Sequence, residues 1–235
     1  MCTLTYLLND NGYELFFNRD ELRSRQVAVA PAFNHHLNAI YPVDPDGKGT
    51  WIAVHQSGLS LALLNFYQAE QALNNGNYLS RGQIILYLLT DPTDVVGLLK
   101  KMDLHQYMAF KLCIFAPDLT NTHNKMRSFQ WDGKTLSEVD EAQPIISAGA
   151  EFPLISKIRT ARFRQIVSAE KPLRVQILSY LHFQEENSHY SIKMERPEAH
   201  TVSFSHIVVA EGVVFNYADY IAKQDFCCRM ARISS

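Results

Sequence analysis

The chain has no long apolar run. Its longest stretches, such as Ile84–Leu89, fall far short of the roughly 18 residues that a membrane-spanning helix needs, so no membrane span is expected. An excess of charge is missing as well: 22 basic residues against 24 acidic ones leave a net charge of −2. That removes the electrostatic case for nucleic acid or an anionic membrane surface as a partner. Blocks of like charge and low-complexity tracts are absent too. Cysteine is scarce, and Cys2, Cys113, Cys227 and Cys228 show no metal-ligand spacing. Adjacent cysteines such as Cys227 and Cys228 rarely meet disulfide geometry. The adjacent pair His35-His36 is a poor metal site, because neighbouring residues on a strand point to opposite faces. No basic segment precedes an apolar stretch at the start of the chain, as a secretory signal requires. The expectation is a reduced, cytoplasmic setting, with no metal and no resident cofactor.

What is present is enough for a substantial core. The 235 residues are 47% hydrophobic, ordinary for a soluble globular protein, and read as one domain over residues 1–235. The organising stretch is the first 21 residues, MCTLTYLLNDNGYELFFNRDE. Residues 3–8 and 13–18 are rich in strand formers, and Asn11-Gly12 between them is a strong hairpin signal. If Asn11-Gly12 fills a two-residue turn, Asp10 faces Tyr13, Cys2 faces Glu21, and Leu4 faces Arg19. Cys2 and Arg19 then share a face as diagonal neighbours, about 7–8 Å apart at the backbone, with Asp20 on the other face. A four-residue loop keeps Cys2 with Arg19, whereas a three-residue loop brings Asp20 to Cys2 instead.

Cys2 has two readings. It is a small apolar residue opening a buried strand, the commoner role for a free cysteine. Alternatively, removal of Met1 makes it the first residue, with a thiol nucleophile and an α-amine base on one side chain and backbone. Their reference pKa values, about 8.5 and about 7.7–8.0, make proton transfer between them nearly isoenergetic.

Further along, residues 22–38 read as irregular, and Pro42, Pro45 and Asp46-Gly47 as turns. Residues 50–55 and 59–66 form a second hairpin, with strands apolar enough to be covered on both faces. Asn65 closes the second strand. It caps the following turn or, alternatively, offers a rigidly held amide to a developing oxyanion. Ser80-Arg81-Gly82-Gln83 reads as a capping box for a helix burying Ile84, Ile85, Leu88 and Leu89. Pro92-Thr93-Asp94 starts a second helix with Val95, Val96, Leu98, Leu99 and Met102 inward. Strands are expected at 109–116, 125–131, 135–139 and near Ile145-Ile146. Helices follow at 154–169, with Arg159 and Arg162 off the buried face, and at 173–183 after Pro172. A hairpin at 201–210 and 213–217 comes last. Alternating strand and helix-pair blocks fit an α+β fold, a four-layer αββα sandwich in which each sheet buries both faces.

MCTLTYL and FFNRDEL resemble the start of the NRDE family, named for Asn18-Arg19-Asp20-Glu21 and also called the transport and Golgi organisation family. GTWIAV, GLSLALLNFY, SRGQIILYLL and TVSFSHIVV carry the likeness through nearly the whole chain. More distantly the chain is similar to N-terminal-nucleophile hydrolases such as bile-salt hydrolases and penicillin acylases. That resemblance implies the αββα fold and a hydrolase of a C–N bond in a small acylated amide. It implies catalytic roles for Cys2, Arg19, Asp20 and Asn65, with Glu21 competing for the acidic role. Glu21, Asn18, Ser147 and Arg162 are candidates for substrate binding, Ser147 where those hydrolases carry a second asparagine and Arg162 or Arg159 as their second cation. NRDE relatives are also linked to haem movement and to lipid or acyl-CoA homeostasis. The same cleft is therefore alternatively expected to carry a hydrophobic cargo, haem included, without turnover. Neither reading fixes an oligomeric state.

Overall fold

A computed structural model describes residues 2–70, 78–167, 173–184 and 190–233. The chain opens with strands β1 (Cys2–Asn9), β2 (Gly12–Leu22), β3 (Val29–Asn34), β4 (Ala39–Val43), β5 (Ile52–His55) and β6 (Ser60–Asn65). Helices α1 (Gly82–Leu88) and α2 (Val95–Lys101) precede β7 (Phe110–Phe115), β8 (Arg127–Trp131), β9 (Leu136–Val139) and β10 (Ile145–Ser147). Helices α3 (Phe152–Ile166) and α4 (Leu173–Leu181) precede β11 (Ala199–Val209), β12 (Gly212–Asp219) and β13 (Gln224–Ala231).

The strands make two sheets, ordered β10-β1-β2-β11-β12-β13 and β3-β4-β5-β6-β7-β8-β9. Their facing surfaces interdigitate: Leu4, Leu15, Phe17, Ile207 and Phe215 from the first meet Ile40, Ile52, Val54, Leu64 and Phe115 from the second. The outer face of the second sheet packs Leu61, Leu63, Leu112 and Phe129 on Ile84, Ile85, Leu88 and Leu99 of α1 and α2. The outer face of the first sheet packs Phe16 and Phe204 on Ile177, Tyr180 and Leu181 of α4. The result is the expected αββα sandwich. Double coverage explains why β2 is buried without interruption from Gly12 to Asp20 instead of alternating. No helix among the described residues is long and apolar enough to cross a membrane.

Several local expectations are corrected. The first hairpin turns at Asp10-Asn11, with Asn9 facing Gly12, so Cys2 faces Arg19 directly and Leu4 faces Phe17. Gly12 has φ +146°, and a Cβ there would overlap the Val209 carbonyl, so this glycine serves a close approach to β11. The stretch read as irregular contains β3, whose Pro31 is tolerated because β3 is an edge strand. Pro42 lies within β4. Ser80 is not a helix cap: the cap position of α1 is Arg81, without a side-chain capping bond, whereas the Asp94 carboxylate does accept from the Gly97 amide at the start of α2. β13 was unanticipated. Helix α3 buries Ile155 and Arg159 together, so Arg159 belongs to the inward face. Pro172 and the end of the expected 154–169 helix lie outside the described residues.

Candidate active site

One ladder of residues crosses the first sheet at the end where β1 begins. Cys2 pairs with Ser147 on one side and Arg19 on the other, Arg19 pairs with Ser203, and Ser203 with Asp219. Directly paired residues share a face. Cys2 therefore sits between two polar neighbours on the surface turned toward the second sheet, where it packs against the inter-sheet core. Burial, reinforced by the charges of Asp20 and Glu21, pushes its thiol above the ordinary range of 9.0.

Arg19 is almost fully buried. Its guanidinium lies 4.1 Å from the ring centroid of Trp51 and bonds to Glu21 Oε2 at 3.1 Å and Asp44 Oδ2 at 3.4 Å. Arg25 reaches the same Asp44 oxygen at 2.6 Å and Glu21 at 3.6 Å. Arg19 and Glu21 are thus neighbours, two residues apart on one face of β2, within a network of two arginines and two carboxylates.

Asp20 points the opposite way, into the helical layer behind Cys2. It accepts from the Thr201 hydroxyl at 2.6 Å and lies 3.5 Å from Arg159 Nη1. Arg159 also donates to Thr3 Oγ1 at 2.6 Å and to the Ser191 carbonyl at 2.7 Å. Burial pushes the Asp20 carboxyl up, and the Arg159 charge and the Thr201 hydroxyl oppose it. Arg159 is therefore the cation that backs the site, and Arg162 is not: Arg162 bonds to Gln165 and lies 4.4 Å over the Phe183 ring. Asn18 likewise faces the helical layer, donating to the Leu181 carbonyl at 2.8 Å, with 1% of its surface exposed, so it has no route to a substrate beside Cys2.

The second sheet closes the same end. Ser147 Oγ donates to the Asn65 main-chain carbonyl at 2.6 Å, joining the Cys2 ladder to the last residue of β6. The pleat turns Asn65 toward the Leu61 and Leu63 side, and its amide donates to the Tyr67 hydroxyl at 2.7 Å. The Tyr67 ring lies within 3.6 Å of the position a Cβ would take on Gly149, and Gln68 donates to the Ala148 carbonyl at 2.8 Å. Arg81 reaches this end as well, donating to the Ala109 carbonyl at 3.0 Å. Sequence reasoning missed Trp51, Asp44, Tyr67 and Arg81 as site residues. Arg81 was absorbed into a capping box, and no local pattern marks Asp44.

A cavity of about 160 Å³ is lined by Arg19, Glu21, Arg25, His200, Tyr217 and Asp219 among others. A cavity of about 540 Å³ adjoins it, sharing His200, Asp219 and Ile221, and another of about 460 Å³ lies apart, beside Trp131. Among the described residues no cluster of three or more histidine, cysteine or acidic side chains forms a metal site.

Comparison with known proteins agrees with this architecture. Over 98% of its length the chain superposes on 92% of the C2A mutant of the conjugated bile acid hydrolase from Clostridium perfringens, with a TM-score of 0.55 and 13% identity. That likeness establishes the N-terminal-nucleophile hydrolase fold. The Bos taurus Transport and Golgi organization protein 2 homolog is 31% identical over 166 residues, covering 68% of this chain and 56% of the relative. The human homolog is 30% identical over 120 residues, covering 48% of this chain and 42% of the relative. The matched stretch thus spans about half the length of these relatives. The family model for Transport and Golgi organisation 2 matches residues 1–212, and the chain belongs to that family.

Proposed function

We propose that this protein is an N-terminal cysteine hydrolase that cleaves the C–N bond of a small acylated amide. The observation that carries the proposal is the position of Cys2. It opens an inner strand between Ser147 and Arg19, at the end of the sandwich where both sheets supply polar groups. In a chain that keeps Met1, burial holds the thiol above its ordinary range, and the nitrogen of Cys2 is a peptide amide that cannot act as a base. Removal of Met1 frees that amine on Cys2 itself. The sulfur then bonds to the substrate carbonyl carbon, its proton passes to the amine, and the carbonyl electron pair moves onto oxygen. Collapse breaks the C–N bond, the leaving nitrogen takes the proton, and water releases the acyl group from the thioester. Arg19 holds the mouth of the site through Glu21, Asp44 and Trp51. Asp20 braces β2 from behind, and Tyr67, held by the Asn65 amide and close enough to Cys2 to feel its charge, borders the site.

A second reading is a carrier of a hydrophobic cargo, haem or an acyl lipid, in the same cleft. The raised thiol favours it, since a protonated buried cysteine is a packing residue. Cavity volume does not separate the two readings: the space of about 160 Å³ beside Arg19 adjoins one of about 540 Å³, and sites for drug-sized ligands run from about 300 to 1,000 Å³.

Intact mass and thiol labelling separate the two. The hydrolase reading expects Met1 to be absent from the native protein and iodoacetamide to modify Cys2 faster than Cys113, Cys227 or Cys228 near neutral pH. Retention of Met1, or a Cys2 no faster than an ordinary thiol, transfers the site to the carrier reading.

A further inference from the structure

Arg19, the cation nearest Cys2 in sequence reasoning, is already neutralised by Glu21 and Asp44. Arg81 is not. It donates to a neutral carbonyl, that of Ala109, and no carboxylate pairs with it among the described residues. Yet two independent runs of contacts place it at the nucleophile's end of the sandwich. On one side, Ala109 also accepts from the Phe66 amide at 3.1 Å, Phe66 follows Asn65, and Asn65 is bound by the Ser147 hydroxyl beside Cys2. On the other, Gly82 accepts from the Thr50 amide at 3.1 Å, Thr50 adjoins Trp51, and Trp51 carries the guanidinium of Arg19, the other neighbour of Cys2.

We propose that Arg81 is the anchor for an anionic group on the substrate, a carboxylate in the first instance, so that the amide cleaved at Cys2 belongs to the class of acidic acyl amides. The inference rests on the assignment of Cys2 as the reacting group and adds the charge of its substrate. A half-buried guanidinium with only a carbonyl partner leaves most of its five donors for a ligand, and its planar fork matches a carboxylate two bonds at a time. The nearest acid, Glu21, is held by Arg19 and Arg25. Burial lowers the Arg81 pKa, with the charges of Tyr67, Cys2 and Glu21 opposing. The cation is therefore already partly desolvated before a ligand arrives, so an anion that pairs with it is bound more strongly than in water. The neighbouring Tyr67 hydroxyl, which accepts from Asn65, has its own proton to donate to the same anion.

Alkylation of Cys2 provides a test that needs no known substrate. Iodoacetate and iodoacetamide react with a thiolate by the same displacement of iodide and differ in charge. Peptide mass spectrometry reads the rate at Cys2 for each, on the native protein. In the wild type the iodoacetate rate is expected to saturate with concentration, the iodoacetamide rate to rise linearly, and N-acetylglycine to protect Cys2 where neutral N-acetylglycinamide does not. Arg81→Gln should lower the iodoacetate-to-iodoacetamide ratio about tenfold, which corresponds to about 1.4 kcal/mol of lost pairing. Arg81→Lys, which keeps the charge, should retain most of it. A merely structural Arg81 would slow both reagents together. The inference is overturned if iodoacetamide labels Cys2 rapidly while the ratio is indifferent to Arg81→Gln, or, should that variant not fold, while N-acetylglycine gives the wild type no protection. If neither reagent labels Cys2, it is the nucleophile assignment that fails, and this inference with it.

Discussion

Arg159 shows how one buried residue supports the site without touching it. Its guanidinium is fully buried and holds Thr3, Asp20 and the Ser191 carbonyl together, and Thr3 and Asp20 are the chain neighbours of Cys2 and Arg19. Taking a charge out of water is tolerable only because Asp20 balances it and the Thr3 hydroxyl and Ser191 carbonyl accept from its two Nη groups. Arg159→Met strands the Asp20 carboxylate. The expected cost is about 3–5 kcal/mol, a fall in melting temperature of about 10 °C for a domain of this size. Adding Asp20→Asn to Arg159→Met should recover part of that loss, because the uncompensated charge is gone. Calorimetry of both variants decides it. A single variant that melts with the wild type would show that the pair carries no net stability. Arg162, three residues on, offers a control, since its contacts are with Gln165 and Phe183 at the helix surface.

At the scale of elements, Glu14 joins three of them on the outer face of the first sheet. It lies on β2, accepts from Arg174 Nε of α4 at 2.9 Å, and pairs with His206 Nε2 of β11 at 2.8 Å. Burial alone would raise this carboxyl, but the bonds to His206 and Arg174 outweigh it and hold the pKa below the ordinary 4.5. A carboxylate depressed by folding contributes stability above its unfolded pKa and loses it as the pH falls through the folded one. Glu14→Gln should therefore melt below the wild type at pH 7, with the gap closing as the pH falls below the ordinary 4.5 and through the lowered folded-state pKa. Melting curves across that range test it, and a gap independent of pH would mean that packing, not charge, sets the difference. Elements of this kind were partly legible in the sequence. Continuous apolar runs revealed the covered strands β5 and β6, and Pro92-Thr93-Asp94 announced α2, because a carboxylate before a helical stripe has a local mechanism. The hairpin register was misplaced by one residue on each strand because Asn11-Gly12 is a strong local signal. Gly12 is instead required where β2 meets the Val209 carbonyl, a contact between residues nearly the whole chain apart. The polarity of β13 and the proline of β3 hid two edge strands. The Cys2–Arg19 pairing could be anticipated because both registers preserve the face. The reach of Arg81 and Asp44 could not, since long-range packing alone brings them in.

Across the whole molecule, the two sheets are fastened at opposite ends by different means. At the Cys2 end the fastener is the Ser147 hydroxyl on the Asn65 carbonyl. At the other end it is Tyr13, whose buried hydroxyl reaches the Gly58 carbonyl at 2.7 Å and Ser60 Oγ at 2.8 Å, while its ring stacks on Phe115 at 5.4 Å. β1 runs from one end to the other, and a strand advances about 3.3 Å per residue, so Leu8, the partner of Tyr13, stands about 20 Å from Cys2. Stability and reactivity should therefore separate. Tyr13→Phe leaves a buried carbonyl short of a donor, for an expected cost of about 1–3 kcal/mol, with the Cys2 labelling rate unchanged. Ser147→Ala removes a bond at the rim of the site, where water can take the place of the lost donor, so its melting temperature should move less. The same change frees the end of β6 from the strand that Cys2 opens and should alter the Cys2 labelling rate several-fold. Measuring melting temperature and iodoacetamide rate on both variants gives a two-by-two result. The separation fails if Tyr13→Phe changes the labelling rate as much as Ser147→Ala does, which would mean that the sandwich transmits strain along its full length and that the site depends on the whole inter-sheet core.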